Sequence, residues 1–350
     1  MALSHVRIVG SGLIGSSIGL ALSAKGIPVT MVDIDPAASQ LAQDLIGSTE
    51  GAPPPVVTIL ATPLSSISEV IKGEIQQGLN LGIIDISSVK IKPVVDAEAS
   101  GLDSGHFLPT HPMAGREVGG AESARADLFQ ARPWIIDPRG VSPELVRVGK
   151  EVIELCGGHL IEMSAAEHDR AVALVSHLPQ IMSSALAARL EGAPAQWLDL
   201  AGTGLRDTTR IAASNPTLWR EIISANRDAI APLLELVIED LQGLLESISS
   251  EEKVSDFIQS GNRGRSMIPG KHGGVARNYT FLPVVIEDKP GQLAALFDEC
   301  ATAQVNVEDL AIEHSPEQYT GLITLALSKS DAEKLYQHLL KEGWSAHAPR

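Results

Sequence analysis

The first 162 residues alternate short apolar runs with longer stretches of helical period. His5 to Val9, Val29 to Val32, Val56 to Leu60, Leu81 to Asp85, Phe107-Leu108, Trp134 to Asp137 and His159 to Ile161 read as strands. Ser16 to Lys25 (stopped by Gly26), Leu64 to Gln77 and Pro143 to Leu155 read as helices. Short apolar runs bounded by turn residues fit strands buried inside a sheet. Their alternation with helices predicts an α/β domain over residues 1–162.

The rhythm then changes. Ser164-Ala-Ala-Glu167 has the form of a capping box. Apolar residues recur at helical spacing over Ala171 to Arg189, Ala195 to Leu200, Thr217 to Ala225 and Ala229 to Ser247. Residues 163–250 are thus expected to form an all-α domain, the kind that packs against a copy of itself or against the cofactor domain. Residues 251–278 read as a linker. From Gly261 to Arg277 it is glycine-rich and carries Arg263, Arg265, Lys271 and Arg277 with no acid. It is either flexible or lies over the acidic body or an active-site mouth.

From residue 279 a third pattern appears. Phe281 to Ile286 is a strand, Glu287 to Gly291 a turn and Gln292 to Thr302 a helix. Val305 to Ile312 and Tyr319 to Leu327 are strands, Ser330 to Lys341 a helix and Trp344 to His347 a last strand. The βαββαβ order over residues 279–350 predicts a small ferredoxin-like α+β module.

Charge and composition narrow the partners. The formal charge is −16, which opposes nucleic acid, because phosphate binding needs a basic surface. An anionic substrate on such a chain needs a local Arg patch. The two cysteines, Cys156 and Cys300, lie far apart without neighbours at metal spacing. No metal site or disulfide framework is expected, and a reducing cytoplasm fits. Val6 to Ala24 is apolar enough to mimic a membrane span, but its glycines mark strand, turn and helix.

Those glycines carry the first chemistry. Gly10-Ser11-Gly12-Leu13-Ile14-Gly15 follows a strand and opens a helix, the context a dinucleotide fingerprint requires. Gly10 permits the tight turn, Gly12 lets the backbone approach a pyrophosphate, and Gly15 lets the helix pack on the strand. The helix N-terminus attracts the phosphates. Asp33, at the end of the second strand, suits the adenosine ribose and repels a 2′-phosphate, so NAD is expected over NADP. Asp35 is the competing acid, although Pro36 after it marks a helix start. Thr62 and Pro63, at the end of the third strand, are expected beside the nicotinamide half.

The second constellation runs from Asp85 to Glu117. Asp85-Ile-Ser-Ser88-Val-Lys90 and Thr110-His111-Pro-Met-Ala-Gly115 each follow a strand, and strand carboxyl ends are where ligands sit in an open α/β sheet. Pro112 stiffens the backbone at His111, and a neutral imidazole accepts a proton near pH 7. The competing reading is a satisfied His at a capped strand end. In the helical half, His177 precedes Leu-Pro179. It is either exposed by a kink or packed beside one. Arg206 and Arg210 share a helix face, either solvated or paired on a carboxylate. Trp219 reads as core. In the last module, Gly291 and Asn306 suit a small polar ligand.

With these residues in view, the chain resembles the prephenate/arogenate dehydrogenase family of tyrosine biosynthesis over about residues 5–250. The motifs are Gly10-Ser-Gly-Leu-Ile-Gly15, Asp85-Ile-Ser-Ser-Val-Lys90, His111-Pro-Met-Ala-Gly115, Ser176-His-Leu-Pro179 and Asp207-Thr-Thr-Arg210. Residues 279–348 look like an ACT domain, a fold that often senses amino acids. The resemblance implies a cytoplasmic homodimer that converts prephenate and NAD⁺ to 4-hydroxyphenylpyruvate, CO₂ and NADH. It implies His111 as base toward the ring hydroxyl and Ser88 as its companion. Arg210 would bind a substrate carboxylate with Glu117 as ion-pair partner. Ser176, His177 and Trp219 would line the pocket. Gln180 stands where many prephenate-using members carry a second His, and Arg116 is a cation able to compensate. Side-chain specificity, prephenate or arogenate, therefore stays open. In the last module, Asp288 stands where some amino-acid-binding members have Asn. An amino-acid effector at Asp288, Gly291 and Asn306 is an expectation of the resemblance. A β-hydroxyacid dehydrogenase would want a Lys in the helical region, and residues 171–200 contain none. A non-catalytic NAD-binding sensor leaves His111, Ser88 and Arg210 unexplained.

Overall fold

A computed structural model describes residues 3–78, 81–115, 119–268, 279–314 and 319–350. The chain forms two compact units, Met1–Leu241 and Gln242–Arg350.

The first unit is built on a seven-stranded sheet of order β2-β1-β3-β4-β5-β6-β7. The strands are β1 (Val6–Val9), β2 (Val29–Val32), β3 (Val57–Leu60), β4 (Ile83–Asp85), β5 (Phe107–Pro112), β6 (Pro133–Ile136) and β7 (His159–Glu162). Helices α1 (Leu13–Ser23), α2 (Pro36–Ile46), α3 (Ile67–Gln77), α4 (Ile91–Ala99) and α5 (Pro143–Leu155) connect them. The first five strands pair in parallel, β6 runs antiparallel to β5, and β7 is parallel to β6. The register sets Ile8, Ile59, Ile84 and Leu108 side by side across four strands. Each is at most 1% exposed. That row fits strands that are mostly apolar and buried, since a parallel sheet is covered on both faces. Each such side chain contributes about 1.5–3 kcal/mol by burial.

Topology places the site. β2 lies to one side of β1, and the chain then crosses back to put β3 on the other side. The crevice at the carboxyl ends of β1 and β3 is the switch point where such sheets bind ligands. β4 ends at Asp85, which pairs with Pro109. β5 runs on to Pro112 beside β6, so His111 stands beyond the end of β4.

Helices α6 (Ala165–Val172), α7 (Leu178–Ala188), α8 (Ala195–Leu198), α9 (Thr203–Thr209), α10 (Pro216–Ala225) and α11 (Arg227–Glu246) follow. The expected capping box is present: Glu167 N–H donates to Ser164 Oγ (3.0 Å) and Ser164 N–H to the Glu167 carboxylate (3.2 Å). α6 and α7 are joined by a π-helical turn, Ala173–His177. One reading of the sequence, a proline kink exposing His177, is corrected here, because His177 is 2% exposed. The π turn absorbs the irregularity ahead of Pro179, which has no N–H to give the helical ladder, and re-phases the residues before it. His177 is turned inward.

The continuous helix over 165–188 is long and apolar enough to cross a membrane by length and composition. Yet His168, Asp169, His177, Gln180 and Ser183 on it are buried. Leu174 and Val175 are exposed on another face.

The second unit contains α12 (Glu251–Ser266), where the sequence reading expected linker. The correction has a local cause. Ser250 caps the helix through the Lys253 N–H, Glu251 and Glu252 occupy its first turn, and Arg263 and Arg265 its last. Capping and the macrodipole together outweigh Gly261 and Gly264. Of the basic stretch, residues 269–278, with Lys271 and Arg277, lie outside the described residues. The rest is β8 (Thr280–Glu287), α13 (Gln292–Thr302), β9 (Asp309–His314), β10 (Thr320–Leu327), α14 (Lys329–Lys341) and β11 (Ser345–Ala346). Its antiparallel sheet has the order β11-β8-β10-β9, the ferredoxin-like arrangement expected. β9 begins at Asp309 rather than Val305, because Gln304 turns through positive φ ahead of it. Leu282, Val284, Ile286, Ile323, Leu325 and Leu327 face α13 and α14 residues Leu296, Leu335 and Leu339 in one core.

Candidate active site

The fingerprint turn is shaped for a ligand. Gly10 has φ +109°, and a Cβ there would lie 2.3 Å from the Ala61 carbonyl oxygen. A Cβ on Gly15 would lie 2.0 Å from the Gly10 oxygen. These two glycines press β1, α1 and the end of β3 together. Gly12, at the N-cap of α1, has nothing within 4 Å of a built Cβ. Its space opens at the helix N-terminus, where backbone N–H groups attract anions. Ser11 Oγ and Thr62 Oγ1 flank this space, buried and without a hydrogen-bond partner. Buried polar atoms rarely stay unsatisfied without cause, and two at the switch point fit a dinucleotide that supplies their partners.

Asp33 reaches into the same turn, accepting from Ser11 N–H (2.6 Å) and Asp35 N–H (3.0 Å). Asp35 instead caps α2 through Ala37 N–H (2.9 Å). Of the two acids, Asp33 is the one at the turn.

The second constellation closes on a buried polar network. His111 Nδ1 lies 2.8 Å from His168 Nε2, and His168 Nδ1 lies 2.8 Å from Asp169 Oδ1. Asp169 also accepts from Lys90 N–H (2.7 Å) and Ile91 N–H (2.9 Å) at the start of α4. Its backbone oxygen accepts from Asn226 Nδ2 (2.7 Å), which lies 3.1 Å from His177 Nδ1. The His177 ring stands edge-on to Trp219, centroids 5.9 Å apart. Beneath His111, the Lys90 ammonium pairs with the Asp85 carboxylate and donates to the Thr110 carbonyl. Thr110 Oγ1 donates to the Asp85 backbone oxygen (2.8 Å) and accepts from Trp134 Nε1 (3.0 Å).

Electrostatics keep the imidazoles neutral. Burial, the His168 ring, the Lys90 ammonium and His177 together push His111 well below the ordinary histidine range. Burial lowers His168 as well, and Lys90 adds to it against the pull of Asp169. His177 is pushed down to about 4, chiefly by burial. Burial opposes the Asp169 carboxylate, but the His168 hydrogen bond and the two backbone N–H groups prevail and hold it below the usual carboxylate range. Burial lowers Lys90, partly offset by Asp85.

Gly10, Ser11, Gly12, Leu13, Ile14, Gly15, Asp33, Thr62 and Pro63 gather at the switch point. Ser88 is half-buried in the turn between β4 and α4. A separate group forms where α7 packs on α9 and the turn Arg210–Ala212. There buried Gln180 bonds Ser184 and Ser214 (3.3 Å each), and Ser183 Oγ donates to the Thr208 oxygen (2.8 Å). Arg206 and Arg210 are exposed on that face, and Ser176 is half-buried. Trp219 packs on the core and on His177 at once. α10 is tied to the end of β3 by Ser65 Oγ donating to Glu221 (2.8 Å). Arg116 and Glu117 lie outside the described residues.

The residues expected to hold an effector do not meet within one module. β8 pairs Phe281 with Ala326, which also faces Asp309, whereas Glu287 pairs with Thr320. Asn306 therefore lies at the Phe281 end of β8 and Gly291 beyond Glu287, about 20 Å apart at strand rise. Asn306 is exposed and bonds Glu308 (2.9 Å).

Sequence reading missed His168, Asp169, Asn226 and the pairing of Lys90 with Asp85. The signal for the first two was an adjacent His-Asp directly after a capping box, on the helix face that its first turn commits to the core.

A fingerprint turn at a switch point, with a neutral imidazole standing beyond the neighbouring strands, defines an NAD-dependent dehydrogenase. Comparison with known proteins narrows this. Residues 18–162 match the prephenate dehydrogenase nucleotide-binding domain and residues 164–259 the prephenate dehydrogenase dimerization domain. A probable prephenate dehydrogenase, NovF of Streptomyces niveus, is 30% identical over 97% of this chain and 99% of its own. The structure of prephenate dehydrogenase from A. aeolicus, in complex with hydroxyphenyl propionate and NAD⁺, is 28% identical. It superposes with a TM-score of 0.66 over 76% of this chain and 98% of that one. Synechocystis arogenate dehydrogenase is 27% identical, with a TM-score of 0.62 over 75% of this chain and 98% of that one. The chain belongs to the prephenate dehydrogenase family.

Proposed function

We propose that the chain catalyses oxidative decarboxylation of prephenate to 4-hydroxyphenylpyruvate, with His111 as the general base. The observation that carries this reading is a neutral imidazole held in a buried network on the same sheet as the dinucleotide turn, beyond the end of β4. Gly10 to Gly15, Asp33, Ser11 and Thr62 would hold NAD, which when bound accepts a hydride. His111 takes the ring hydroxyl proton as the hydride leaves the same carbon, a role worth about 10²–10⁴-fold. The carbon–carboxylate bond then breaks, its electron pair aromatises the ring, and the proton returns to the ring oxygen. Ser88 holds the hydroxyl. Arg210 takes a substrate carboxylate, with Gln180, Ser176, His177 and Trp219 around the side chain; Glu117 is read as the ion-pair partner of Arg210 and Arg116 as a further cation.

Arogenate is the second reading. It is favoured by Gln180, a buried uncharged donor and acceptor held by Ser184 and Ser214. The enzyme is read as a cytoplasmic homodimer, and exposed Leu174, Val175, Leu236 and Leu245 on the helical domain suit pairing. The last module is read as an ACT-like amino-acid sensor. Because Gly291 and Asn306 lie at opposite ends of β8, a site that joins them with Asp288 takes two copies of the module.

The test is NADH formation with prephenate and arogenate in parallel, with and without tyrosine. Turnover of prephenate supports the first reading and turnover of arogenate alone the second. His111→Asn should keep NAD binding and lose about 10²–10⁴-fold in turnover; near-full activity would remove His111 as base.

A further inference from the structure

The polar network of the active site carries a direction. Asp169 has two carboxylate oxygens and, being ionised, can only accept. Oδ1 takes the Lys90 N–H and faces His168 Nδ1, and Oδ2 takes the Ile91 N–H. His168 Nδ1 must therefore carry the proton it donates. A neutral imidazole has one N–H, so His168 Nε2 is a lone pair. That lone pair sits 2.8 Å from His111 Nδ1, which must then be the donor in their bond. The proton of His111 is thereby committed to Nδ1, and its Nε2 is left bare.

We infer that His168 and Asp169 are positioning residues that hold His111 as its Nδ1–H tautomer, so that Nε2 is the atom that accepts the substrate proton. The anchors of this relay lie on different elements. His168 and Asp169 belong to α6, His111 to β5, and the N–H groups that orient Asp169 to the start of α4. Both relay residues are at most 2% exposed, so water does not compete for these bonds. The Asn226 bond to the Asp169 backbone oxygen fixes the same turn of α6 from the far side. The task of Nε2 rests on the dehydrogenase reading; the tautomers belong to the protein alone.

Two experiments separate these. Long-range ¹⁵N–¹H correlation spectra of the full chain labelled at histidine report the tautomer of each ring without any substrate. His111→Asn and His168→Gln assign the signals. Both rings should show a protonated Nδ1 and an unprotonated Nε2, and a proton on Nε2 of either ring overturns the inference. This holds even if the chain turns over neither prephenate nor arogenate, an outcome that would refute the function and leave the relay standing.

The second experiment is kinetic. Asp169→Asn leaves one acceptor oxygen for the Lys90 and Ile91 N–H groups and His168 Nδ1, and lets an NH2 donor face His168 instead. The expected loss in kcat is at least about 10²-fold, with the about 10⁴-fold that the same change costs a serine-protease triad as the upper mark, and KM within about threefold. The His111 signal should move to the Nε2–H form in that variant. His168→Gln retains an acceptor opposite His111 Nδ1 and should stay within about tenfold of wild type. His168→Leu, which has none, should fall about 10²-fold or more. Equal kcat in His168→Leu and His168→Gln would overturn the relay. If Asp169→Asn does not fold, the wild-type spectra decide.

Discussion

Lys90→Met probes the floor of the site. The Lys90 and Asp85 side chains are 1% and 0% exposed, so the pair is cut off from water. The ammonium also donates to the Thr110 carbonyl and to Ser87 Oγ (3.3 Å). Methionine matches the length of the aliphatic stem and removes the ammonium, leaving a buried carboxylate without its cation. Breaking a buried pair from one side costs about 3–5 kcal/mol, because the remaining charge is uncompensated. In a unit of roughly this size each kcal/mol lowers Tm by about 2–4 °C, so a fall of about 6–20 °C is expected. Calorimetry of the full chain measures it. The chain has two units, and a multidomain protein need not unfold in two states, so the decisive comparison is a cycle. Lys90→Met with Asp85→Asn removes both charges and should recover at least half of the loss. A single variant within about 3 °C of wild type, or a double variant no better than the single, would refute the buried-charge argument.

Three further outcomes follow from the same geometry. Gly12→Ala should leave the Tm of the cofactor-free chain within about 2 °C, since its Cβ meets open space, yet weaken NAD at least tenfold by calorimetric titration. Gly15→Ala, whose Cβ would lie 2.0 Å from the Gly10 oxygen, should lower both; equal behaviour of the two variants would contradict the assigned roles. Asp33→Ala should weaken NAD about tenfold and narrow its preference over NADP, and unchanged affinity would discard Asp33 as the ribose acid. The base works unprotonated, and the pKa of His111 is depressed. Activity should therefore persist as pH falls through 6.5, with the acid limb of kcat/KM below that value; a limb at pH 7 or above would count against His111.

Most elements of the first unit were legible because each is a local affair. The fingerprint glycines are needed where backbone meets backbone, and Asp33 follows at the end of the next strand. The capping box at Ser164 is closed by a residue three positions on. The βαββαβ order of the last module likewise follows from periodicity. One local reading failed and one open choice was decided, both for local reasons. Charge and capping made a helix of Glu251–Ser266, and a π turn buried His177.

The linear chain determined the cofactor fold, the helical second half, the ferredoxin-like module and His111 as the imidazole to watch. These rest on periodicity, turn chemistry and spacing, which act over a few residues. Only the tertiary structure decided what His111 is bonded to. Its partner His168 is 57 residues away, and Asp169 is oriented by N–H groups 78 and 79 residues distant. A lone pair at Nε2 exists because an acceptor-only carboxylate, a neutral ring and a second ring are stacked in that order. Such an order is set by packing between strand and helix, not by neighbours in sequence. In the same way, only the register of β8 separated Gly291 from Asn306, which the linear sequence had read as one site.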